Sequence, residues 1–329
     1  MQFIFNRERG AMRGIGVIFA FAAGVACAQG YPSKPIRLIS PVPAGSGIDV
    51  VARIAADKLG QNMGATIVVD NIAGAASMIG AAAAARAAPD GYTLLFWSEA
   101  APLGALANPK LTFDPVKDLQ PVGSIAKGVF FLAVNPSLPV NSVAELVALA
   151  KTKPGGLAYG TSGIGSPHHV VTEMFIGATG IQVLHIPYKG SGETVTSLMR
   201  GDVQFALGLP SSFAPHLKSG KFRGLAVAAP TRSPAFPDLP TITEAGVKGV
   251  EYLSWYAVFA PTGTPQPILE RLHAEMAKIV ADKSYIEERL GRIGLEPYAA
   301  GSLAETMKLS QQYYDLLAPV VKNAGIKQE

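Results

Sequence analysis

Residues 34–53 read KPIRLISPVPAGSGIDVVAR and predict a strand, a glycine turn and a helix in direct succession. The apolar run Ile36–Ser40 is bounded by prolines, which is typical of a short strand. Gly45 and Gly47 mark a turn, and from Asp49 onward apolar residues recur at helical spacing. Such a turn presents bare backbone N–H groups at the carboxyl edge of a parallel sheet, where they attract anions. A purely structural strand–helix turn is the alternative interpretation.

The sequence that follows repeats this alternation. Predicted strands at Thr66–Asp70 and Thr93–Trp97 flank a small-residue helix, roughly Ser77–Ala88, and this order favours a doubly wound α/β sheet. Leu103–Pro121 is expected to be a loop-rich connector. A second glycine-rich turn, Thr161–Ser166, again lies between a predicted strand and a predicted helix.

Two such α/β units account for the chain. Val129–Val134 opens a second series of strands and helices, and Trp255–Ala260 is expected to return to the first sheet. We therefore predict two doubly wound α/β domains joined by a two-segment hinge, with a cleft between them. The predicted boundaries are 29–128 plus 255–329 for domain 1, and 129–254 for domain 2.

Composition excludes several classes of protein. Of the 329 residues, 49% are hydrophobic and 16% are charged, which fits a globular protein and not a disordered one. Beyond residue 28 the chain has 25 basic and 23 acidic residues. No basic run of the kind that binds nucleic acid is present, so no nucleic-acid partner is expected.

The first 28 residues resemble a secretory signal. Three arginines precede the apolar segment Gly14–Ala26, and Ala26-Cys27-Ala28 fits a small-residue cleavage site. Cleavage after Ala28 would leave a secreted mature chain without cysteine. A membrane anchor is the alternative, although no other long apolar run follows, and a lipid attached to Cys27 is a further option.

Sequence motifs for common enzymes fail on spacing. Gly45-Ser46-Gly47 lacks the third glycine of a dinucleotide fingerprint, and no phosphate-binding GxxxxGK[ST] loop occurs. The turn at Gly163 lacks the closing glycine of a hydrolase nucleophile elbow. His168 and His169, with Glu173 one turn later, invite a metal site, but adjacent histidines on a helix point in different directions. No metal, cofactor or catalytic residue is expected.

Two N–H-rich turns beside a cleft suit reversible capture of a small carboxylate. A hydrogen bond to a charged group contributes about 1.5–3 kcal/mol, and a helix N-terminus adds roughly 0.3–1 kcal/mol. Three or four such bonds would give roughly micromolar binding after the costs of ordering. Asp49 is interpreted as a residue of the helix start, and His168 as a cleft or capping residue.

Short blocks distributed along the chain resemble one family. They are YPSKPIR at 31–37, PAG at 43–45 with Asp49 and Arg53, PDGYTLL at 89–95, DPVKDL at 114–119, SGIGS at 162–166, HIPYKG at 185–190, LAV at 225–227, LPT at 239–241 and APTGTP at 260–265. Together they resemble Bug-type (TctC-like) periplasmic receptors of the tripartite tricarboxylate transporter family.

The resemblance implies a two-domain Venus-flytrap fold of the periplasmic binding protein type, with no catalysis. It implies that the loops 43–49 and 161–166 hold one ligand carboxylate, partly through water, and that segments 188–190 and 208–210 border the cleft. A membrane permease would receive the ligand, and a monomer is the default state. The candidate ligand-binding residues are Pro43, Ala44, Gly45, Ser46, Gly47, Asp49, Ser98, Thr161, Ser162, Gly163, Gly165, Ser166, His168, Tyr188, Lys189, Gly190, Gly208 and Pro210.

Departures from the family pattern shape the remaining hypotheses. Ser46 replaces a usual glycine, and Ile48 stands where a small polar residue is common, which favours an aromatic or apolar carboxylate over a tricarboxylate. Two other functions stay open. One is a sensor subunit that uses the same cleft; the other is a secreted esterase that would use Ser162 or Ser46 with His168.

Overall fold

The computed structural model describes residues 30–108 and 110–327. The predicted signal segment, 1–28, lies outside the described residues, and so does Cys27. Within the described ranges, no helix is both long enough and apolar enough to cross a membrane.

The chain begins with the predicted alternation of strands and helices. The elements up to the long strand are β1 (Ile36–Ser40), α1 (Gly47–Met63), β2 (Ile67–Asn71), α2 (Met78–Ala85), β3 (Thr93–Ser98), α3 (Ala100–Ala107) and β4 (Leu119–Val134). A short 3₁₀ turn, Ala75–Ser77, precedes α2, and Ser77 adopts a left-handed backbone with φ +78°.

A second series of elements follows β4. These elements are α4 (Val143–Thr152), β5 (Ala158–Thr161), α5 (Pro167–Thr179), β6 (Leu184–Pro187), α6 (Ser191–Arg200), β7 (Phe205–Gly208), α7 (Pro210–Lys218) and β8 (Arg223–Ala228). The chain then returns through β9 (Leu253–Pro261), α8 (Gln266–Ala281), α9 (Lys283–Arg292), β10 (Glu296–Pro297), α10 (Leu303–Met307) and α11 (Leu309–Asn323).

The strands form a continuous curled sheet in the order β2-β1-β3-β9-β4-β7-β5-β6. β1 pairs in parallel with β2 and β3, and β5 pairs in parallel with β6 and β7. Between these parallel sets, β9 and β4 run antiparallel to each other and carry the chain from one half to the other. The returning strand predicted at Trp255–Ala260 is thus confirmed as part of β9, inserted between β3 and β4.

The central strands are buried on both faces, as is typical of a doubly wound sheet. In β3, Leu94 and Phe96 face a core shared with α1 and α8, whereas Leu95 and Trp97 face the core that α2 closes. The apolar residues that recur at helical spacing along α8 are all buried: Ile268, Leu269, Leu272, Met276 and Ile279. The predicted α/β class is confirmed.

Two predictions about the connector were wrong. The segment 103–121 contains most of α3 and the start of β4, which runs for 16 residues where only Val129–Val134 was expected. Proline normally weakens a strand assignment, but β4 accommodates Pro121 at an irregularity where its register with β9 shifts.

Helices α3 and α11 extend from the first half onto the second. Leu103 and Ala107 of α3, and Leu317 and Val321 of α11, lie in one hydrophobic core with residues of β4, α4 and α5. The start of α11 contacts the other side, because Leu309 packs in the core that contains Trp97 and Trp255. The two halves are therefore connected by packing as well as by β4 and β9.

Candidate functional site

The carboxyl ends of the parallel strands in the two halves face each other across the middle of β4. This strand pairs with β9 as far as Val129, and with β7 and β8 beyond it. β3 runs in the same direction as β4 and ends level with Ala126, whereas β7 runs in the opposite direction and ends beside Phe131. Five residues of β4 span about 17 Å, so loops from both halves project into one interdomain space.

The first loop is held by the buried carboxylate of Asp49. Its Oδ2 accepts from the Gly45 N–H at 2.8 Å and from Arg53 Nε at 2.9 Å, and its Oδ1 accepts from Asn71 Nδ2 at 2.7 Å. Asn71 Nδ2 also donates to the Val42 carbonyl. Burial opposes ionisation, but these hydrogen bonds outweigh it and lower the pKa of Asp49. Asp49 is thus a structural anion, committed to fixing the loop.

The start of α1 leaves donors unused beside this loop. The N–H groups of Gly47, Ile48 and Asp49 occupy the first turn, where a helix offers them no internal acceptor. Ser46 has the extended backbone of an N-cap, yet its hydroxyl makes no capping bond. The hydroxyls of Ser46 and Ser40 are shielded from solvent and have no hydrogen-bond partner among the described residues. Buried polar groups normally have partners, so this loop is equipped to accept a polar ligand.

The second loop, Thr161–Ser166, likewise lies between a strand and a helix start, but its helix, α5, is capped. Ser166 caps the helix, because its hydroxyl accepts from the His169 N–H at 3.3 Å. Gly163 and Gly165 have φ values of +121° and +74°, conformations that side chains with a Cβ rarely adopt. A Cβ on Gly163 would also come within 3.3 Å of the Tyr188 carbonyl oxygen.

His168 lies behind the second loop as a neutral ring. Its Nδ1 contacts the Ser162 hydroxyl at 2.8 Å, and its Nε2 lies 3.5 Å from the Ser191 hydroxyl. Phe130 packs edge-on against the ring at 5.2 Å. Burial lowers the pKa of His168 to about 4, so at neutral pH the ring orients two serines and supplies no positive charge.

The segment after β6 joins the second loop. The Tyr188 N–H donates to the Thr161 carbonyl at 3.0 Å. Lys189 donates its backbone N–H to Glu193 Oε2 at 3.0 Å, and its side chain is exposed. Gly190 is the N-cap residue of α6. Three of the predicted residues, Thr161, Tyr188 and Gly190, are thereby brought to one edge of the second half.

The start of α7 reaches across to the first half. A Cβ on Gly208 would lie 2.0 Å from the Phe213 ring. The absence of a side chain at position 208 therefore leaves room for Phe213 of α7 to pack. Pro210 opens α7 at its first position and packs against Gly294 of the first half. Gly47 faces Ser211, whose Oγ would lie 2.6 Å from a Cβ added to this glycine. The predicted residues 47 and 210 therefore lie at a close contact between halves.

Glu99 is the buried group that sequence reasoning missed. It follows Ser98 at the end of β3, and its carboxylate accepts from the Ser254 hydroxyl at 2.7 Å and from the Trp255 N–H at 3.1 Å. Burial raises its pKa to about 7, against the opposing effect of these hydrogen bonds. An acidic residue directly after a continuously apolar strand was the available signal.

The surface pockets lie away from the predicted residues. A pocket of about 580 Å³ is lined by Asn108, Phe113 and Tyr314, among others, and includes none of the predicted residues. Across 30–108 and 110–327, no group of three or more His, Cys, Asp or Glu side chains is arranged to hold a metal ion. The strand ends and helix starts therefore define the candidate site.

The fold and the site together define a class of protein. Two α/β halves joined by crossing strands, with helix N-termini facing each other across the gap, are the architecture of periplasmic binding proteins. The chain belongs to the tripartite tricarboxylate transporter receptor family, whose TctC model matches residues 51–326. The resemblance predicted from short sequence blocks is confirmed.

Individual relatives support the same assignment. Protein BugT of Bordetella pertussis is 38% identical over 275 residues, which cover 82% of this chain and 84% of BugT. A protein of R. palustris solved with adipate has a TM-score of 0.83 and 35% identity, and the match covers 90% of this chain and 99% of that one. MatC from Rhodopseudomonas palustris, with bound malate, has a TM-score of 0.79 and 26% identity over 88% of this chain and 100% of MatC.

Proposed function

We propose that this protein is a periplasmic receptor that captures a small organic carboxylate between its two halves and delivers it to a membrane permease. Residues 1–28 would act as the signal for export, and the mature monomer would consist of domains 29–128 plus 255–329 and 129–254. The protein would carry out no catalysis. The adipate and malate bound by two relatives support a carboxylate ligand.

One observation carries this proposal. The Ser46 hydroxyl is buried without a protein partner, directly beside the unused N–H groups of the α1 N-terminus. A ligand carboxylate placed there would satisfy the hydroxyl and the first-turn N–H groups together, and the helix dipole favours its negative charge. Across the gap, the Ser162 hydroxyl, which contacts His168 Nδ1 at the start of α5, is the polar group that the second loop would add.

The source of positive potential is therefore the backbone. Arg53 is engaged by Asp49 and Asn71, and His168 is neutral at pH 7. Hydrogen bonds to a charged acceptor contribute about 1.5–3 kcal/mol each, so three or four suffice for roughly micromolar affinity once ordering is subtracted. Ile48 packs partly against the core of the first half, and whether it also lines an apolar ligand is decided by comparing aromatic with aliphatic acids.

The proposal is tested by calorimetry and thermal shift on the mature chain. The panel comprises adipate, malate, citrate and benzoate, with adipamide as the uncharged match for adipate. We expect at least one carboxylate to bind, adipamide not to bind, and Ser46→Ala to weaken binding about tenfold. Ser137→Ala is the control for loss of a hydroxyl far from the loops. Binding that is equal for adipate and adipamide, or insensitive to Ser46→Ala, would contradict the site.

A serine–histidine contact gives the esterase hypothesis a concrete form. Ser162 Oγ and His168 Nδ1 are 2.8 Å apart, within the range for a nucleophile and its base. The other ring nitrogen faces Ser191 and, within the described part of the chain, no carboxylate is paired with it. Hydrolysis of p-nitrophenyl acetate that disappears in Ser162→Ala would favour this function, and an inert wild-type protein would dismiss it.

A further inference from the structure

Three aromatic rings form a cluster behind the second loop. Tyr159 of β5 and His185 of β6 are opposite each other in the parallel ladder, and their rings stack with centroids 4.8 Å apart. His169 of α5 stacks on His185 with centroids 4.1 Å apart and an angle of 22° between the rings. The cluster is therefore built from all three elements that surround the loop.

Each histidine of the cluster contacts one end of the loop. His169 Nδ1 accepts a hydrogen bond from the Gly165 N–H at 3.2 Å. His185 Nε2 contacts the Thr161 hydroxyl at 2.7 Å, and the same hydroxyl accepts from the Gly163 N–H at 3.3 Å. The Gly165 amide thus donates into the protein, and its contribution to the site is to set the shape of the turn.

The contacts of His169 define its protonation state. Because Nδ1 accepts a hydrogen bond from the Gly165 N–H, the ring proton of the neutral form is on Nε2. That nitrogen lies 3.8 Å from Glu173 Oε1, and the same oxygen accepts from the Tyr159 hydroxyl. The titratable groups in contact with the histidine pair are therefore Glu173 on α5 and Tyr159 on β5.

We propose that His169 is a positioning residue of the ligand-binding loop. Its neutral ring fixes the Gly165 amide and thereby the left-handed turn that leads into α5. A doubly protonated ring has no lone pair on Nδ1, so it releases the Gly165 amide, and it also places a charge against His185. Acidification then loosens the second loop and weakens carboxylate binding.

The surroundings of the His169 ring determine the direction in which affinity changes with pH and the pH range of that change. Burial, with a smaller contribution from His185, lowers the pKa of His169 to about 4, and burial lowers the pKa of His185 as well. The loop is consequently fixed throughout the neutral range. A ligand that requires the fixed loop binds the neutral form better, so its affinity falls as the pH drops below about 5.

Two substitutions of His169 distinguish the role of its hydrogen-bond acceptor, Nδ1, from the role of its aromatic ring. His169→Phe keeps an aromatic ring for stacking and removes the acceptor. His169→Asn places an amide oxygen close to the position of Nδ1, so it keeps the acceptor and removes the titration. We expect His169→Phe to lose about tenfold in affinity at pH 7, and His169→Asn to retain affinity at pH 7 without the acid-dependent loss. His216→Asn, on α7, is the control for removing a histidine elsewhere.

The loop itself supplies a readout that needs no ligand. In the ligand-free protein, the NMR signal of the Gly165 amide should shift with the titration of His169, and this shift should be absent in His169→Asn. Hydrogen exchange at Gly165 should accelerate at least tenfold in His169→Phe, while exchange at Gly180 at the far end of α5 should not change. Thermal melts establish that each variant is folded.

The predicted changes in carboxylate affinity rest on the proposed function, and they are measured with adipate and malate. Carboxylic ligands titrate in the same acid range, so the decisive quantity is the difference between wild type and His169→Asn at each pH. If neither acid binds but the Gly165 amide follows His169, the ligand proposal fails and the positioning role stands. If Gly165 exchange is unchanged in His169→Phe, or His169→Asn loses affinity on acidification as wild type does, the inference is overturned.

Discussion

Gly47 and Ser211 lie directly against each other, one at the start of α1 and the other at the start of α7. A Cβ built on Gly47 would be 2.6 Å from Ser211 Oγ and 3.0 Å from its Cβ. Real Cβ contacts do not approach so closely, so the absence of a side chain at position 47 allows the two helix starts to meet. This contact joins the two halves beside the first candidate loop.

The first prediction concerns this contact. Gly47→Ala should weaken carboxylate binding at least tenfold, because the halves can no longer approach to the same distance. The folded halves themselves should be unaffected. Ligand-induced thermal shift and calorimetric affinity measure the effect. Gly177→Ala, a glycine of α5 with open space around it, should keep full affinity and stabilise the helix by roughly 1 kcal/mol.

A second substitution tests whether the loss of affinity in Gly47→Ala comes from the contact with Ser211. Replacing Ser211 by glycine in the Gly47→Ala background removes both atoms that meet the new Cβ, and affinity should return towards that of wild type. Wild-type affinity in Gly47→Ala alone would show that the contact has no part in binding.

The second prediction compares two glycines with similar backbones. Gly45 has φ +79° and Gly155 has φ +70°, and both have open space where a Cβ would be. Alanine at either position should cost about 1–2 kcal/mol of stability through left-handed strain. Only Gly45→Ala should also reduce carboxylate affinity, because the Gly45 N–H shapes the first loop through Asp49. Equal affinities in the two variants would remove the first loop from the site.

The third prediction concerns Glu99 and pH. Its pKa of about 7 in the folded protein lies above the ordinary value for glutamate, about 4.3 in model peptides. A raised pKa means that the folded state binds the proton more tightly, so the contribution of Glu99 to stability is fully present below about pH 4 and is lost as the pH rises through 7. The total loss is at most about 4 kcal/mol, because one pKa unit corresponds to about 1.4 kcal/mol.

Urea unfolding at pH 5 to pH 8 measures this effect. Glu99→Gln should flatten the decline across that range, whereas Glu270→Gln, on the exposed face of α8, should reproduce the wild-type slope. An unchanged slope in Glu99→Gln would mean that another group produces the pH dependence.

The fourth prediction concerns the strained turn before α2. Ser77 has φ +78° without being glycine, a conformation that costs roughly 1–2 kcal/mol. Ser77→Gly should relieve this strain and stabilise the protein by about 0.5–1 kcal/mol after the greater freedom of glycine in the unfolded chain is subtracted. Ser219→Gly, at φ −87°, should instead destabilise it. A lower midpoint of thermal unfolding for Ser77→Gly would contradict the strain interpretation.

Sequence reasoning predicted those features that depend on residues close together in the chain. The strand at Ile36–Ser40 and the turn at Thr161–Ser166 are local patterns, and both occur as predicted. Ser302 and Glu305 form a capping box, which is likewise a pattern of residues three positions apart. In each case, residues a few positions apart determine the conformation, so a short stretch of sequence is enough to predict it.

Features that depend on distant partners were missed. Glu99 is buried because Ser254 and Trp255, 155 and 156 positions away, supply donors to its carboxylate. His169 lies near His185 only because β6 pairs beside β5. The full length of β4 is set by its neighbour β9, which tolerates Pro121 at a register shift. Local sequence patterns do not indicate such contacts between residues that are far apart in the chain.

The pairing of β4 with β9 persists through the crossing itself, where Lys127, Gly128 and Val129 are opposite Trp255, Ser254 and Leu253. Two separate linkers would let one half rotate freely against the other, but a hydrogen-bonded ribbon resists torsion and bends mainly across its plane. Helix α11, packed on both halves, removes further freedom. We therefore expect the halves to keep essentially one rotational coordinate, so that any opening would return the two loops to the same alignment.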